Sequence, residues 1–223
     1  MSPMTVRAAL EQGKSLLFYG EVETPLLDAT VLLSEALGVS KERLLASLPD
    51  SLPEEPYRRY REFLDRRLAG TPVSYIRGRK EFYSLEFLVD ERVLVPRPET
   101  ELLVEEALRL LEAPAAGRGA APPPAGSSGE RAPRALRVHD ACTGSGCVAI
   151  ALKHARPDLE VSASDISREA LAVARLNARR LLGPRPGVRF RPSDLLSRVW
   201  RRFDLVTANP PYLSDHEVEN MSK

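Results

Sequence analysis

An alternation of strand-like and helix-like segments between residues 135 and 211 constrains the fold more than any other feature of the chain. The strand-like segments are "ALRVHDA", "EVSASD", "VRFRPSD" and "FDLVTANPP", and the amphipathic segments "CVAIALKHA" and "REALAVARLNARRLL" separate the first three. Successive strands joined by helices pair in parallel, and each helix crosses over the sheet. The sequence therefore predicts an α/β fold with a doubly wound, mainly parallel sheet.

The first part of the chain carries helical signals only. Within residues 1–72, Thr24 and Pro25 begin one helix, and start and stop residues bracket the segments "TVRAALEQGKSLLFYG", "KERLLASL" and "PEEPYRRYREFLDRRLAG". In residues 73–97 the apolar positions alternate with polar ones, a pattern that predicts a β-hairpin. We expect a small helical bundle over residues 1–72, a hairpin linker over 73–97 and a second domain over 98–223.

The segment at 113–134 has a different composition from the rest of the second domain. It reads "APAAGRGAAPPPAGSSGERAPR" and contains little beyond Ala, Pro, Gly, Ser and Arg. Such a segment cannot bury enough apolar surface to offset the entropy lost on ordering. We expect a disordered surface insertion there.

Composition and charge exclude several classes of function. The 223 residues carry 32 Lys and Arg against 31 Asp and Glu, so bulk electrostatics give no support to a nucleic-acid or membrane partner. No apolar run reaches transmembrane length, and the N-terminus lacks the pattern of a signal peptide. Cys142 and Cys147 have no second pair with which to form a zinc site. We expect a cytoplasmic protein without a metal.

Polar residues follow each predicted strand at the edge of the sheet where ligands bind. The first strand ends at Asp140 and runs into a turn of small residues, whose backbone can approach a ligand closely before a helix begins. The second strand ends at Asp165, about 20 residues beyond the turn, where a carboxylate can accept both hydroxyls of a ribose. The alternative for Asp165 is to cap the next helix, but Ser167 is at least as well placed for that role.

The third strand ends in "PSDLL". Asp194 and Leu195 can meet the edge and the face of an adenine there, or Asp194 can cap the next helical turn. Together these features predict a nucleoside site. The turn is not a dinucleotide fingerprint, because it reads Asp-x-Cys-x-Gly-x-Gly where Gly-x-Gly-x-x-Gly would be needed.

The turn "DACTGSG" resembles the first motif of the class I S-adenosylmethionine-dependent methyltransferases. The motif "NPPY" after the fourth strand narrows this resemblance to the amino-methyltransferases, which act on planar NH2 groups. With "VLVPRPETELLVEEAL" and the helical N-terminal part, the chain is similar to the peptide chain release factor N5-glutamine methyltransferase family (PrmC/HemK). The resemblance covers essentially the whole chain apart from residues 113–134.

The resemblance implies a Rossmann-like class I methyltransferase sheet, S-adenosylmethionine as cofactor and a release factor as protein substrate. It also implies a protein that is monomeric when complete and has no direct nucleic-acid partner. The cofactor-binding residues that it implies are Asp140, Cys142, Thr143, Gly144, Ser145, Gly146, Asp165, Asp194, Leu195 and Asn209.

The same resemblance implies how the motif "NPPY" acts on an amide. The side-chain oxygen of Asn209 and the backbone carbonyl of Pro210 accept the two N–H bonds of the substrate, so that the nitrogen lone pair faces the methyl group. Pro210 and Pro211 fix φ and bring no competing donor, and Tyr212 supplies a flat wall. The simpler interpretation of this motif is a turn after a buried strand.

The sequence departs from the family pattern at two places. Cys142 stands where the family commonly has the first glycine of the turn, and we expect this small side chain to fit, with slightly weaker cofactor binding. Class I sheets have further strands after "NPPY", whereas this sequence ends at Lys223. We therefore expect a fragment, or a truncated product that lacks C-terminal strands and has impaired activity.

Two other functions remain open at this point. An amino-methyltransferase that acts on a DNA adenine or an RNA guanine base uses the same motif, although the near-neutral helical bundle supplies no obvious basic groove for it. A binding module is the non-enzymatic alternative, in which the bundle docks a protein and the sheet no longer catalyses a reaction.

Overall fold

The computed structural model describes residues 4–112, 135–199 and 201–210, and the chain divides into two compact units, Met1–Arg79 and Lys80–Lys223. The first unit is helical, and the second contains a parallel sheet with helices between its strands. The predicted α/β fold with a helical N-terminal part is confirmed. The segment 113–134, for which we expected disorder, lies outside the described residues.

The first unit is built mainly from helices. Two of them begin at side-chain caps, because the hydroxyl oxygens of Thr5 and Ser40 accept bonds from the backbone N–H of Ala8 and Arg43 at 3.2 and 3.3 Å. The helices of this unit within the described residues are α1 Val6–Tyr19, α2 Pro25–Leu37, α3 Lys41–Ala46, α4 Glu54–Leu68 and α5 Val73–Arg77.

Helix α2 begins at Pro25 as predicted, but Thr24 does not cap it through its side chain. The Thr24 hydroxyl donates instead to Oδ1 of Asp28 at 2.9 Å, and Oδ2 of the same carboxylate accepts from Nε of Arg67 at 2.7 Å. The carboxylate is therefore the group that organises the first turn of α2 and joins it to α4.

The core of the first unit is built from leucines on facing helices, together with Tyr60, and these side chains are fully buried. Helices α1 and α4 approach closely at Gly13, where an added Cβ would lie 1.8 Å from the hydroxyl oxygen of Tyr60. Only glycine fits there while the tyrosine keeps its position. The fully buried leucines are Leu17, Leu32, Leu33, Leu44 and Leu64.

The segment at 73–97 contains the expected hairpin, formed by β1 Arg79–Phe82 and β2 Leu85–Leu88, with one short helix before it. That helix, α5, starts after Pro72, whose φ is −58°, and ends at Gly78 with a φ of 71°. The two turn residues of the hairpin, Tyr83 and Ser84, have φ values of 50° and 58°, which suit the twist of paired strands.

The second unit contains a four-stranded sheet in the order β5-β4-β3-β6, with every pair parallel. Strands β5 and β6 are the edges of the sheet as far as the described residues go. None of the helices in the described part of either unit is long and apolar enough to cross a membrane. The elements are α6 Glu99–Glu112, β3 Arg137–Ala141, α7 Cys147–Ala155, β4 Glu160–Asp165, α8 Arg168–Leu182, β5 Val188–Pro192 and β6 Leu205–Ala208.

The register of the parallel strands aligns their carboxyl ends. Ala141 of β3 lies opposite Ser164 of β4 and Ala208 of β6, and Asp165 lies opposite Pro192 of β5. The residues that follow each strand consequently meet at one edge of the sheet. This is the edge at which the sequence predicts a ligand site.

A buried asparagine connects the hairpin to this edge. Asn177 of α8 is fully buried, and its Nδ2 donates to the backbone carbonyls of Leu88 and Ser145, at 3.0 Å each. Its Oδ1 accepts from the backbone N–H of Leu88 at 2.8 Å. One side chain thus forms two hydrogen bonds with the backbone of β2 and a third with the turn that follows β3.

Replacing Asn177 with leucine keeps the size of the side chain similar but leaves three backbone groups without partners in the core. Since each buried unsatisfied group costs about 1–3 kcal/mol, we expect a loss of roughly 3 kcal/mol or more in the free energy of unfolding. Urea denaturation measures this loss. The control is Leu176→Ala, at a position that is 50% exposed, which should cost much less. Equal losses in the two variants would contradict the bridging role of Asn177.

Candidate active site

Residues from the three motifs singled out in the sequence line one pocket in the second unit. The segment before α6 contributes Leu94 to Arg97, the first turn of α6 contributes Thr100, and Asn209, directly after β6, lies at the pocket wall. The turn after β3 and the start of α7 contribute the remaining lining residues, which are Asp140, Cys142, Thr143, Gly144, Ser145, Cys147 and Val148. The segment "LVPRPET", the turn "TGSG" and Asn209, the first residue of "NPPY", therefore meet at the predicted edge of the sheet.

Asp140 is buried at the end of β3 and ties this strand to β6. Its carboxylate accepts a hydrogen bond from the Thr143 hydroxyl at 2.6 Å and one from the Thr207 hydroxyl at 2.8 Å. Burial raises the pKa of this carboxyl to about 6, although both hydroxyl bonds act in the opposite direction. Asp140 thus holds the turn against the strand that leads to Asn209.

The turn after β3 winds through three residues with positive φ: Cys142 at 56°, Gly144 at 54° and Gly146 at 83°. Gly146 is the N-cap of α7 and packs against α8, because an added Cβ would lie 3.1 Å from the Cβ of Ala174. The backbone N–H of Thr143 donates to the Ser164 carbonyl at 3.0 Å, which anchors the turn to β4.

Asp165 connects the turn to the start of α8. Its Oδ2 accepts from the backbone N–H of Gly144 at 2.8 Å, and its Oδ1 accepts from the N–H of Ser167 at 3.0 Å. Ser167 itself caps α8, since its hydroxyl accepts from the N–H of Ala170 at 3.1 Å. Each carboxylate oxygen has a second lone pair, so the role of Asp165 toward a ribose stays a prediction.

Asp194 and Leu195 follow β5 and line neighbouring surface rather than the pocket itself. Asp194 borders a separate depression, and Leu195 is 51% exposed with a φ of 45°. The three carboxylates of the predicted site nevertheless surround the turn. Burial raises the pKa of the Cys142 thiol, and the negative charges of Asp165, Asp140 and Asp194 raise it further.

Asn209 belongs to the pocket through both its position and its hydrogen bond to α6. Its Nδ2 donates to Oγ1 of Thr100 at 3.3 Å, and Thr100 is itself buried. The orientation of the amide is assigned from this bond. Pro210 follows on the surface, whereas Pro211 and Tyr212 lie outside the described residues.

Sequence reasoning missed two residues that shape the pocket. Thr100 belongs to a motif that supports the resemblance. Its hydrogen bond to Asn209 joins residues 109 positions apart in the sequence, and no local sequence pattern predicts it. Asn177 lies inside an amphipathic helix, where an asparagine among apolar neighbours was the only available sign. A polar residue on the buried stripe of a helix often has such a partner.

Two parts of the chain match known families. Residues 8–78 match the PrmC N-terminal domain, and residues 130–222 match the methyltransferase small domain. A protein of Leptospira interrogans named "Release factor glutamine methyltransferase" is 36% identical over 99% of this chain and 72% of its own length. Proteins with the same name from Koribacter versatilis and Moorella thermoacetica are 37% and 38% identical, over 99% and 94% of this chain and 71% and 68% of their own lengths.

The positive φ of Cys142 gives a prediction about stability. A side chain in the left-handed region costs about 1–2 kcal/mol, and glycine recovers this at an entropic cost of roughly 0.5–1 kcal/mol. We therefore expect Cys142→Gly to raise the free energy of unfolding by about 0.5 kcal/mol. Urea denaturation checks this, with Cys142→Ala as the control, since alanine removes the thiol but keeps the strain. An equal gain in both variants would show that the thiol, and not φ, causes the effect.

Proposed function

Because this chain belongs to the release factor glutamine methyltransferase family, we propose that it methylates the glutamine of the Gly-Gly-Gln motif in peptide chain release factors. The methyl donor is S-adenosylmethionine and the acceptor is the side-chain amide nitrogen. The family resemblance inferred from three motifs is confirmed by these relatives, and so is the expectation of a methyltransferase.

One observation carries the proposal: the amide of Asn209 is oriented inside the pocket that the Gly-rich turn lines. With Nδ2 directed to Thr100, the carbonyl end of the Asn209 amide is turned the other way. A carbonyl oxygen is what a substrate NH2 group needs as a hydrogen-bond acceptor. Thr100 thereby acts as a positioning residue for Asn209.

The chemistry of an amide substrate explains why orientation matters. The nitrogen lone pair of an amide is delocalised into the carbonyl, so the nitrogen is a poor nucleophile in its relaxed geometry. Two acceptors, Oδ1 of Asn209 and the backbone carbonyl of Pro210, hold the two N–H bonds and fix the direction of the lone pair. Neither Pro210 nor Pro211 offers an N–H that competes with the substrate. Orientation and electrostatics then supply the rate enhancement.

The residues around the turn suit S-adenosylmethionine. Small residues at the turn leave the backbone accessible, and an added Cβ at Gly144 would meet no atom within 4 Å, so there is open space at this position. We assign the cofactor's ribose hydroxyls to Asp165, and its adenine to Asp194 and Leu195. When bound, the cofactor would supply the methyl group from its sulfonium, with S-adenosylhomocysteine as the leaving group and one amide proton released to water. The chain's residues would bind and orient the two reactants.

The helical unit Met1–Arg79 is the proposed binding surface for the release factor. It displays apolar side chains that its own core does not cover: Phe18 and Tyr19 are 65% and 83% exposed and meet edge to face at 5.7 Å. Leu26 and Leu27 are also about half exposed. Exposed aromatic and aliphatic groups are typical of protein-binding surfaces.

Transfer of labelled methyl groups tests the proposed function. The protein is incubated with S-adenosylmethionine labelled in its methyl group and, separately, with a release factor, the same factor with Ala in place of the motif glutamine, DNA and ribosomal RNA. We expect label only in the unmodified factor. Label confined to nucleic acid would contradict the proposal and favour a base amino-methyltransferase. Cofactor binding without any transfer would favour a binding module.

The assigned roles predict that substitutions at Asn209 and Asp165 have different effects. Asn209→Ala removes one of two orienting acceptors, so we expect kcat to fall about 100-fold, on the scale of losing one oxyanion-hole donor, with little change in cofactor affinity. Asp165→Ala should chiefly weaken cofactor binding. Methyl-transfer kinetics and calorimetric titration with S-adenosylhomocysteine separate the two effects. Equal losses of affinity in both variants would refute this division of roles.

A further inference from the structure

The proposed function makes no use of His139, although this residue lies at the centre of the sheet. His139 is fully buried in β3, where its register partner in β4 is Ser162. Its Nδ1 lies 2.9 Å from the hydroxyl oxygen of Ser162, and its Nε2 lies 2.9 Å from the hydroxyl oxygen of Ser164. The ring of Phe203 packs against the imidazole with 4.9 Å between ring centroids.

The protons of this cluster can be assigned in one consistent direction. The Ser164 hydroxyl donates to the backbone carbonyl of Leu195 at 3.2 Å, so its oxygen accepts the proton on Nε2 of His139. Nδ1 then accepts from Ser162, whose hydroxyl is closer to Nδ1 than to the Val138 carbonyl at 3.4 Å. The tautomer follows from the network rather than from a visible hydrogen atom.

Hydrogen bonds that run from Ser162 through His139 to Ser164 require a neutral imidazole, because a neutral ring has one donor and one acceptor nitrogen. Burial and, to a smaller extent, the positive charge of Arg191 together lower the pKa of His139 to about 4. The ring is therefore neutral at physiological pH. Each polar atom of the imidazole has a partner, which removes the cost of placing a polar ring inside the sheet.

The final acceptor of this chain of hydrogen bonds belongs to the loop after β5. Leu195 has a φ of 45°, a conformation that non-glycine residues adopt only when neighbouring contacts hold them there. Two contacts from the end of β4 hold this loop: the Ser164 hydroxyl on the Leu195 carbonyl, and the Asp165 carbonyl, which accepts from the N–H of Ser193 at 3.0 Å.

We propose that His139 and Ser164 are positioning residues for the adenine end of the cofactor site. The imidazole fixes the rotamer of the Ser164 hydroxyl, the hydroxyl holds the Leu195 carbonyl, and this places Asp194 and Leu195 at the edge of the sheet. The inference rests on the proposed function, since the ligand is the adenosyl group of S-adenosylmethionine. It adds a network inside the sheet that sets affinity for this group without touching it.

Two matched serine variants test the proposal. Ser162→Ala and Ser164→Ala make the same change in the same strand, and each removes one partner of the same imidazole, but only Ser164 contacts the loop. We expect Ser164→Ala to weaken binding of S-adenosylhomocysteine about tenfold, the equivalent of roughly one hydrogen bond. Ser162→Ala should leave the affinity within about twofold of the unchanged protein. Similar affinities for the two variants in calorimetric titration would overturn the proposal.

Amide hydrogen exchange without any ligand gives an independent measurement. We expect residues 193–199 to exchange faster in Ser164→Ala than in Ser162→Ala, whereas two variants that merely loosen the core would raise exchange in that loop equally.

Substitution of the imidazole itself gives a third comparison. His139→Gln keeps a donor and an acceptor and should retain more affinity for S-adenosylhomocysteine than His139→Leu. Equal affinity of these two variants would show that the imidazole only fills space.

The two measurements also separate this inference from the proposed function. If the unchanged protein does not bind S-adenosylhomocysteine, the proposed cofactor is wrong and the assignment of the loop to an adenine falls with it. If the unchanged protein binds and the two serine variants neither differ in affinity nor in exchange, the proposed function stands and the positioning role of His139 and Ser164 is refuted.

Discussion

Two adjacent residues at the carboxyl end of β4 hold the site together. The backbone carbonyls of Ser164 and Asp165 accept the N–H groups of Thr143 and Ser193, and the carboxylate of Asp165 accepts those of Gly144 and Ser167. Ser164 and Asp165 are thus hydrogen-bonded to three segments: the turn after β3, the start of α8 and the loop after β5. The backbone N–H groups of Thr143 and Ser193 belong to buried residues and would otherwise lack partners, which is costly in a protein interior.

The parallel register makes this arrangement possible, and Asp140 completes it on the other side. Because β3 lies between β4 and β6, a carboxylate at its end can reach the turn and the next strand, through the hydroxyls of Thr143 and Thr207. Burying this carboxylate costs free energy, as its raised pKa shows. The same carboxylate joins the turn to β6 through two hydrogen bonds. Preorganisation of this kind is what orientation-based catalysis of methyl transfer requires.

Residues far from the pocket in sequence contribute to the same rigidity. Asn177 fastens β2 of the hairpin to the turn, and the hairpin leads directly into the segment from Leu94 to Arg97 that lines the pocket. Thr100 then follows in α6 and orients Asn209. In the proposed mechanism the acceptor end of the pocket is therefore positioned from the hairpin and α6, while the cofactor end is positioned from within the sheet. This separation explains why substitutions at the two ends are expected to affect different steps.

The sequence alone determined the class of fold, the parallel sheet, the helical first unit, the hairpin and the edge of the sheet at which the motifs meet. These features have local signals: apolar periods, capping residues such as Ser167, and small residues in a turn. Only the tertiary structure decided the contacts of Thr100 with Asn209, of Asn177 with Leu88, and of His139 with two serines. Such bonds join residues 109, 89 and 23 to 25 positions apart, and no local period encodes them. The positive φ of Cys142 is a further example, since the residue type would not select this conformation.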